Sequence, residues 1–361
     1  MEDKVAAGGL MSRLNRIPIK NIYYLLCYAW NELEQGELLD LDKLPSTELV
    51  DLFAFVLCEG LNHLVKRGLE QDYVRRIDEI SGVRGRIDLL VTVSHFLPQH
   101  GRAACTFDEL SVNTLPNQII KTTLSHLLST ENLDKELRAK VNAKHRDLHG
   151  INEIVLSPAL FQRVQLRANN RFYRFLLNVC ELINGSWLVE EQTGIYRFRE
   201  FRDDERAMAS VFERFLFNFI NLEVQEWKGK ARKELIKWNA SALESSDLQL
   251  IPMMVTDISL KSDKQYVIID AKYYRDAVQS RYGSEKFRSG HLYQLLSYLA
   301  NAKSDSGRKV QGMLIYPQVN RRLRERFEIL GFDVRVNTVD LNNDWQVLKS
   351  EIIEMFQPAA V

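Results

Sequence analysis

Apolar positions along this chain alternate between two textures, helical spacing and short β-like runs, and their order predicts the architecture. In residues 48–65, Leu49, Leu52, Phe53, Val56, Leu57, Leu61 and Leu64 recur three and four apart, the spacing of a helix with one buried face. Residues 21–30 and 118–128 carry the same spacing, and residues 133–149 a more charged version of it. Between these helices the texture changes: residues 73–80, 86–93 and 103–110 read as short strands, punctuated by Gly82, Gly85, Pro98 and Gly101. Turn-like segments around Pro158 then break the pattern, so a domain boundary is expected between residues 150 and 165.

Beyond that point Phe172, Phe175, Leu176, Val179, Cys180 and Ile183 predict one helix. Met208, Val211, Phe212, Phe215, Phe219 and Leu222 predict the buried face of another, over residues 206–226. Strand candidates follow at 256–258, 267–272, 312–316 and 333–336, with a helix at 290–299 among them. Strands and helices alternating around a mixed sheet give an α/β class.

The strands at 256–258 and 267–272 carry the candidate chemistry. Side chains alternate faces along a strand, so Ile268, Asp270 and Lys272 share one side of theirs. If the two segments pair as a hairpin through residues 261–264, Asp257 comes alongside Asp270, and two anions and one ammonium form a compact site. That set suits metal-assisted phosphodiester hydrolysis, because Mg²⁺ takes oxygen ligands and needs only one or two carboxylates. The simpler alternative is an exposed ion pair of little consequence. Against it stands the Val267-Ile268-Ile269 run, which reads as a buried strand whose charged end is costly without a purpose. On the 290–299 helix, Leu292, Leu295, Leu296 and Leu299 follow the core spacing, while Gln294 and Tyr298, four apart, share the other face.

A D…D-x-K hairpin followed by a Q-x-x-x-Y helix resembles the PD-(D/E)XK nuclease superfamily, with Thr256 in the place of the proline. The resemblance narrows through segments that occur in order. They are Ile17-Pro18-Ile19-Lys20-Asn21-Ile22-Tyr23-Tyr24-Leu25-Leu26, Arg67-Gly68-Leu69, Gly82-Val83-Arg84-Gly85-Arg86-Ile87, Thr106-Phe107-Asp108-Glu109-Leu110, Ile269-Asp270-Ala271-Lys272-Tyr273-Tyr274, Leu292-Tyr293-Gln294-Leu295 and Leu314-Ile315-Tyr316-Pro317. Together they are similar to the McrC family, the nuclease subunits of the modified-cytosine restriction system McrBC.

That resemblance implies an organisation and a set of roles. A flexible tail, residues 1–16, is followed by an α+β amino-terminal domain, 17–165, that docks on a motor. A PD-(D/E)XK endonuclease domain with a central mixed sheet occupies 166–361. Asp257, Asp270 and the Ala271 backbone carbonyl would bind Mg²⁺, Lys272 would handle the attacking water, and Gln294 would support the site. Glu213, on the preceding helix, and Tyr298 are further candidates. The family's GTP is consumed elsewhere, since no G-x-x-x-x-G-K-[ST] loop occurs in this chain. The implied partners are an McrB-like AAA+ GTPase hexamer, double-stranded DNA carrying a modified cytosine, and a second copy of this chain through paired complexes. Two rival readings are a catalytically silent adaptor that only activates the GTPase, and an autonomous DNA-processing nuclease.

Composition adds a little. The 361 residues suffice for two domains, and 45% hydrophobic with 27% charged residues reads as globular. Lys+Arg and Asp+Glu both number 48, so any grip on DNA is expected to be local or supplied by a partner. Arg281, Lys286, Arg288 and His291 are candidates for backbone phosphate contact, and Arg321, Arg322, Arg324 and Arg326 more often form a solvated face. His145 and His149 read as solvated rather than as zinc ligands. Cys27, Cys58, Cys105 and Cys180 form no C-x-x-C pair and read as buried thiols. With neither a signal peptide nor a long apolar run, a cytoplasmic location without a membrane is expected.

Overall fold

The computed structural model describes residues 17–44, 48–166, 170–189, 196–198, 204–243, 247–273, 278–281, 284–302, 307–319 and 321–357. The expected flexible tail lies outside them. The chain forms two compact units: residues up to Asp42 with those from Arg199 onward, and Lys43–Phe198.

Helix α1 (Ile19–Ala29) opens the first unit. The second unit begins with α2 (Leu49–Arg67), in which the predicted apolar positions are buried but so are Val50, Asp51, Ala54, Phe55 and Cys58, so its first turns are enclosed on all sides rather than on one face; it ends at Gly68 with φ 93°, a conformation that suits glycine. Next come β1 (Asp72–Ser81), β2 (Arg86–Ile87), the short helix α3 (Leu89–Ser94) and β3 (Arg102–Ser111), which pair as an antiparallel sheet in the order β1-β3-β2. The strand expected over 86–93 is therefore cut short. The Asp88 carboxylate accepts the Val91 N–H and caps a helical turn, and the Thr92 hydroxyl accepts the Ala104 N–H from the buried side. Gly85 is required: its φ is 68°, and a Cβ there would stand 2.4 Å from the Thr106 carbonyl oxygen. Helices α4 (Leu115–Leu128), α5 (Lys135–Asp147) and α6 (Arg171–Gly185) pack with α2 as a bundle.

The chain then returns to the first unit. Asp204 caps α7 (Glu205–Glu223) by accepting the N–H groups of Arg206 and Ala207. Phe212, Phe215 and Phe219 are buried as their spacing predicts, each contributing about 2–3 kcal/mol of burial. Leu222 departs from the expectation: it is exposed, because the helix ends one residue later and Val224 and Trp227 take the interior positions. The elements of this unit's main sheet and the helices beside it are β4 (Ala231–Arg232), β5 (Ile258–Lys261), β6 (Gln265–Ala271), α8 (Ser289–Ala302), β7 (Lys309–Pro317), β8 (Arg324–Ile329), β9 (Phe332–Val339) and α9 (Trp345–Met355). The sheet order is β8-β9-β7-β6-β5-β4, with β6, β7 and β9 parallel and the other pairings antiparallel. The expected mixed sheet of an α/β fold is present.

These units do not follow the boundary expected near residue 165, nor the assignment of residues 17–30 to the amino-terminal domain. Tyr24 of α1 stacks on Trp345 at 4.6 Å, Tyr28 lies against Phe215 and Phe219, and its hydroxyl donates to Glu223 at 2.5 Å. Asn21 donates to the carbonyls of Leu341 and Asn343 at 2.8 and 2.7 Å. The apolar face of α1 is an aromatic one, and the aromatic surface that covers it comes from α7 and α9.

Candidate active site

The hairpin expected from the sequence forms. Lys261 pairs with Tyr266, Leu260 with Val267, Ser259 with Ile268 and Ile258 with Ile269, so the next opposing position sets Asp257 against Asp270. Oδ2 of Asp257 accepts the Ala271 N–H at 2.9 Å, which turns the carboxylate toward the end of β6. Thr256, in the place of proline, is fully buried. Its N–H donates to the Glu234 carbonyl at 3.0 Å and its hydroxyl accepts the Glu234 N–H at 3.0 Å; proline would delete both bonds.

Asp270 is fully buried, and neither of its oxygens receives a well-directed hydrogen bond. Its charge is met by the Lys272 ammonium, 2.9 Å from Oδ1. Lys272 Nζ also donates to Oε1 of Gln294 at 3.0 Å, Gln294 Nε2 donates to the Tyr298 hydroxyl at 2.7 Å, and that hydroxyl donates to the Val255 carbonyl at 3.0 Å. This relay fixes the amide of Gln294 with its oxygen toward the ammonium. Gln294 and Tyr298 were expected on the face away from the leucines. Tyr298 instead joins Leu295, Leu299 and Ile268 in one core, since α8 lies close over the sheet. Gly312 permits that approach: a Cβ there would stand 2.8 Å from Leu299 and 2.9 Å from Leu295.

Burial, the neighbouring Asp270 and Glu213 push the Asp257 carboxyl up to about 7. Burial also raises Asp270, against the pull of Lys272. Lys272 itself is depressed by burial, and the carboxylates of Asp270 and Asp257 more than offset this, so it stays charged. Glu213 lies within electrostatic reach of both aspartates and forms an ion pair with Lys233. Lys233 was missed in the sequence because only tertiary pairing brings it here.

The donor set fits a hard divalent cation. Among the described residues no group of three or more His, Cys, Asp or Glu is placed to hold a metal ion, so any ion here would rest on two carboxylates. Two adjacent carboxylates, one with both oxygens lacking directed donors, match an ion that keeps several waters and takes few protein ligands.

The basic candidates separate. Arg281 ends a strand described only in its backbone. Lys286 is exposed; burial, then Lys272 and Arg288, lower the His291 pKa to about 4. His291 Nδ1 pairs with the Tyr316 hydroxyl at 3.0 Å. Arg322 and Arg324 pair with Glu351, and Arg326 with Asp333, so much of that run is engaged within the chain. His145 pairs with Glu153, and the four cysteines are buried free thiols. No described helix is long and apolar enough to cross a membrane.

Comparison with known proteins places these features in a lineage. Residues 20–317 match the family model for the McrBC 5-methylcytosine restriction system component. The chain is 36% identical over 340 residues to the Escherichia coli (strain K12) Type IV methyl-directed restriction enzyme EcoKMcrBC, spanning 94% of this chain and 97% of that protein. Its fold resembles the refined half-complex from a tetradecameric assembly of Thermococcus gammatolerans McrB AAA+ hexamers with bound McrC. That match has a TM-score of 0.60 and 16% identity, and covers 93% of this chain and 75% of the other.

Proposed function

The chain belongs to the McrBC 5-methylcytosine restriction system component family, and from that premise we propose that it is the Mg²⁺-dependent endodeoxyribonuclease subunit, of PD-(D/E)XK type, of a GTP-driven restriction complex. Asp257 and Asp270 would hold the ion, with the Ala271 carbonyl as a further oxygen ligand. When bound, the ion supplies Lewis-acid polarisation of the phosphate and an acidified water. Lys272 orients the attacking water and offsets negative charge as the phosphate reacts. Gln294, held by Tyr298, keeps the ammonium aimed, and Glu213 adds negative charge beside Asp257.

One observation carries this reading: a fully buried carboxylate whose oxygens lack directed donors, beside a second carboxylate and a lysine. A purely structural ion pair would have its acceptors satisfied, because an unmet buried oxygen costs about 1–3 kcal/mol.

The partner follows from relatives, one of which is named as McrC bound to McrB AAA+ hexamers. We assign motor docking and stimulation of its GTPase to the small sheet of the second unit. Tyr73, Ile77 and Leu110 there are 67%, 75% and 53% exposed, a costly apolar surface for an unpartnered strand pair. The substrate would be duplex DNA with a modified cytosine, cut when two assembled complexes bring two sites together.

The test is cleavage of methylated duplex by the complex with its motor, GTP and Mg²⁺. Loss of cutting in Asp270→Asn, with GTP hydrolysis retained, supports the assignment. A wild-type chain that stimulates GTP hydrolysis yet never cuts with any divalent metal would overturn it in favour of an adaptor.

A further inference from the structure

The parallel strands β6, β7 and β9 begin together, at residues paired as Gln265 with Lys309 and Gln311 with Asp333. A pocket of about 440 Å³ opens there, within the range of small-ligand sites. It lies on the far face of the sheet from the nuclease site. Val267 lines it, and Val267 projects opposite to Ile268 and Asp270. The start of β6 is also five residues from Asp270, roughly 16 Å along the strand. A ligand seated here does not reach the carboxylates.

The walls have two characters. Trp227, Met313 and Phe356 supply a buried apolar floor. The rim is cationic, with Lys309, Arg326 and Arg335 around one carboxylate, Asp333. Arg326 and Arg335 are directly opposed in the β8–β9 ladder, and like charges in that relation repel. Asp333 answers only one of them well: it takes Arg326 in a two-pronged pair at 2.9 and 2.7 Å. Arg335 Nε and Lys309 Nζ both stand 3.9 Å from it, beyond hydrogen-bond reach. Arg335 Nε is buried with no acceptor at all. Asp333 stands behind the lining, and Glu226, the one carboxylate among the lining residues, accepts from Gln265 at 3.2 Å and leaves that N–H unmet.

The Arg335 side chain is 25% exposed although its Nε is buried, so the outer part of the guanidinium and the exposed Lys309 ammonium are the groups an anion in this pocket can reach, beside an apolar floor. We propose that this pocket is a second ligand site, which binds the phosphate of a nucleotide through Arg335, Lys309 and Arg326 and seats its base or sugar against the apolar floor. The phosphate has two possible sources, a free mononucleotide or the 5′-phosphate end of a DNA strand, and both present the same group.

The experiment is titration calorimetry on the full-length chain without divalent metal, with adenosine 5′-monophosphate as probe. One site per chain is expected, with weaker binding of adenosine and of inorganic phosphate. Arg335→Gln and Lys309→Gln should each weaken binding by about tenfold or more. Asp270→Asn should leave it unchanged, which separates this site from the nuclease site. Lys309 is 64% exposed, so its substitution tests the pocket even if Arg335→Gln impairs folding. A 5′-phosphorylated duplex that displaces the probe while its unphosphorylated twin does not identifies a DNA end as the source. Displacement by neither identifies the free nucleotide. Absence of binding at millimolar probe, wild-type affinity in Lys309→Gln, or loss of binding in Asp270→Asn overturns the proposal.

Discussion

Lys272 Nζ stands 2.9 Å from Oδ1 of Asp270; Asp270 lies in β6, and Lys272 is the first residue past its end. The ammonium is the countercharge of a carboxylate with no exposed surface. In Lys272→Ala, Asp270 keeps its burial and loses its cation. Because Asp270 can then take up a proton, the stability loss without metal should be about 1–3 kcal/mol rather than the larger cost of an uncompensated charge. Cleavage should fall at least about 100-fold, the contribution of a positioned proton-handling group. Urea denaturation and single-turnover cutting measure the two effects, and cutting at the wild-type rate would sink the assignment.

Asp257 gives a pH dependence with a definite sign. Its folded-state pKa, about 7, exceeds the ordinary carboxylate value of 3.8, so the folded chain binds more protons between these values than the unfolded chain does. Its contribution to metal-free stability therefore falls as pH rises from about 4 to about 7, and is level above that. Asp257→Asn should remove this part of the slope, as read from melting temperature against pH. Mg²⁺ should stabilise the wild type more at pH 8 than at pH 5, because binding requires the ionised form. Equal slopes for variant and wild type would show that Asp257 titrates normally.

Gly312 sets the distance between α8 and the sheet. Gly312→Val should cost about 1–3 kcal/mol as Leu295 and Leu299 are displaced, and should lower cleavage because Gln294 moves with the helix. Gly312→Ala should show the same effects more weakly. A Gly312→Val chain with wild-type stability in urea would mean that the helix yields freely.

Residues 19–29 belong with the unit that carries Asp257 and Asp270. A chain starting near residue 165 keeps the hairpin and α8 but uncovers Phe215, Phe219 and Trp345, and it should fail to fold cooperatively in denaturant. Tyr28→Ala in the full chain should cost about 3–5 kcal/mol for the lost ring. A cooperative, soluble fragment from residue 165 would show α1 to be dispensable.

The docking reading rests on the exposed sheet. Ile77→Lys should leave the melting temperature within about 1 °C, since a surface change away from packed groups is within about 0.5 kcal/mol. It should also reduce GTPase stimulation at least about tenfold. Full stimulation by this variant would move the docking surface elsewhere.

Much of the site was legible because its signals are local. Strand alternation places Asp270 and Lys272 together, a four-residue turn allows the hairpin, and helical spacing unites Gln294 with Tyr298. The structure adds what local pattern does not encode. Lys233 reaches Glu213 only after α7 has ended and β4 has joined the sheet, and the α1 aromatics announce a buried face without naming its cover. The 86–93 segment failed for another reason: Asp88 caps a helical turn, and its competition with a strand is decided by contacts to β3.

The pairing of α1 with α9 also bears on synthesis. Asn21 reaches its carbonyl partner at Leu341 across 320 positions of sequence, so an aromatic helix made early waits for a surface made late. At about 5–20 residues per second that interval is roughly 15–60 s. The segment of Lys43–Phe198 can settle on the ribosome during it, while the other unit cannot close. The unit that carries Asp257 and Asp270 thus matures after the other, and the interval in which Tyr24 and Tyr28 stay uncovered is when a nascent chain is most exposed to misassembly.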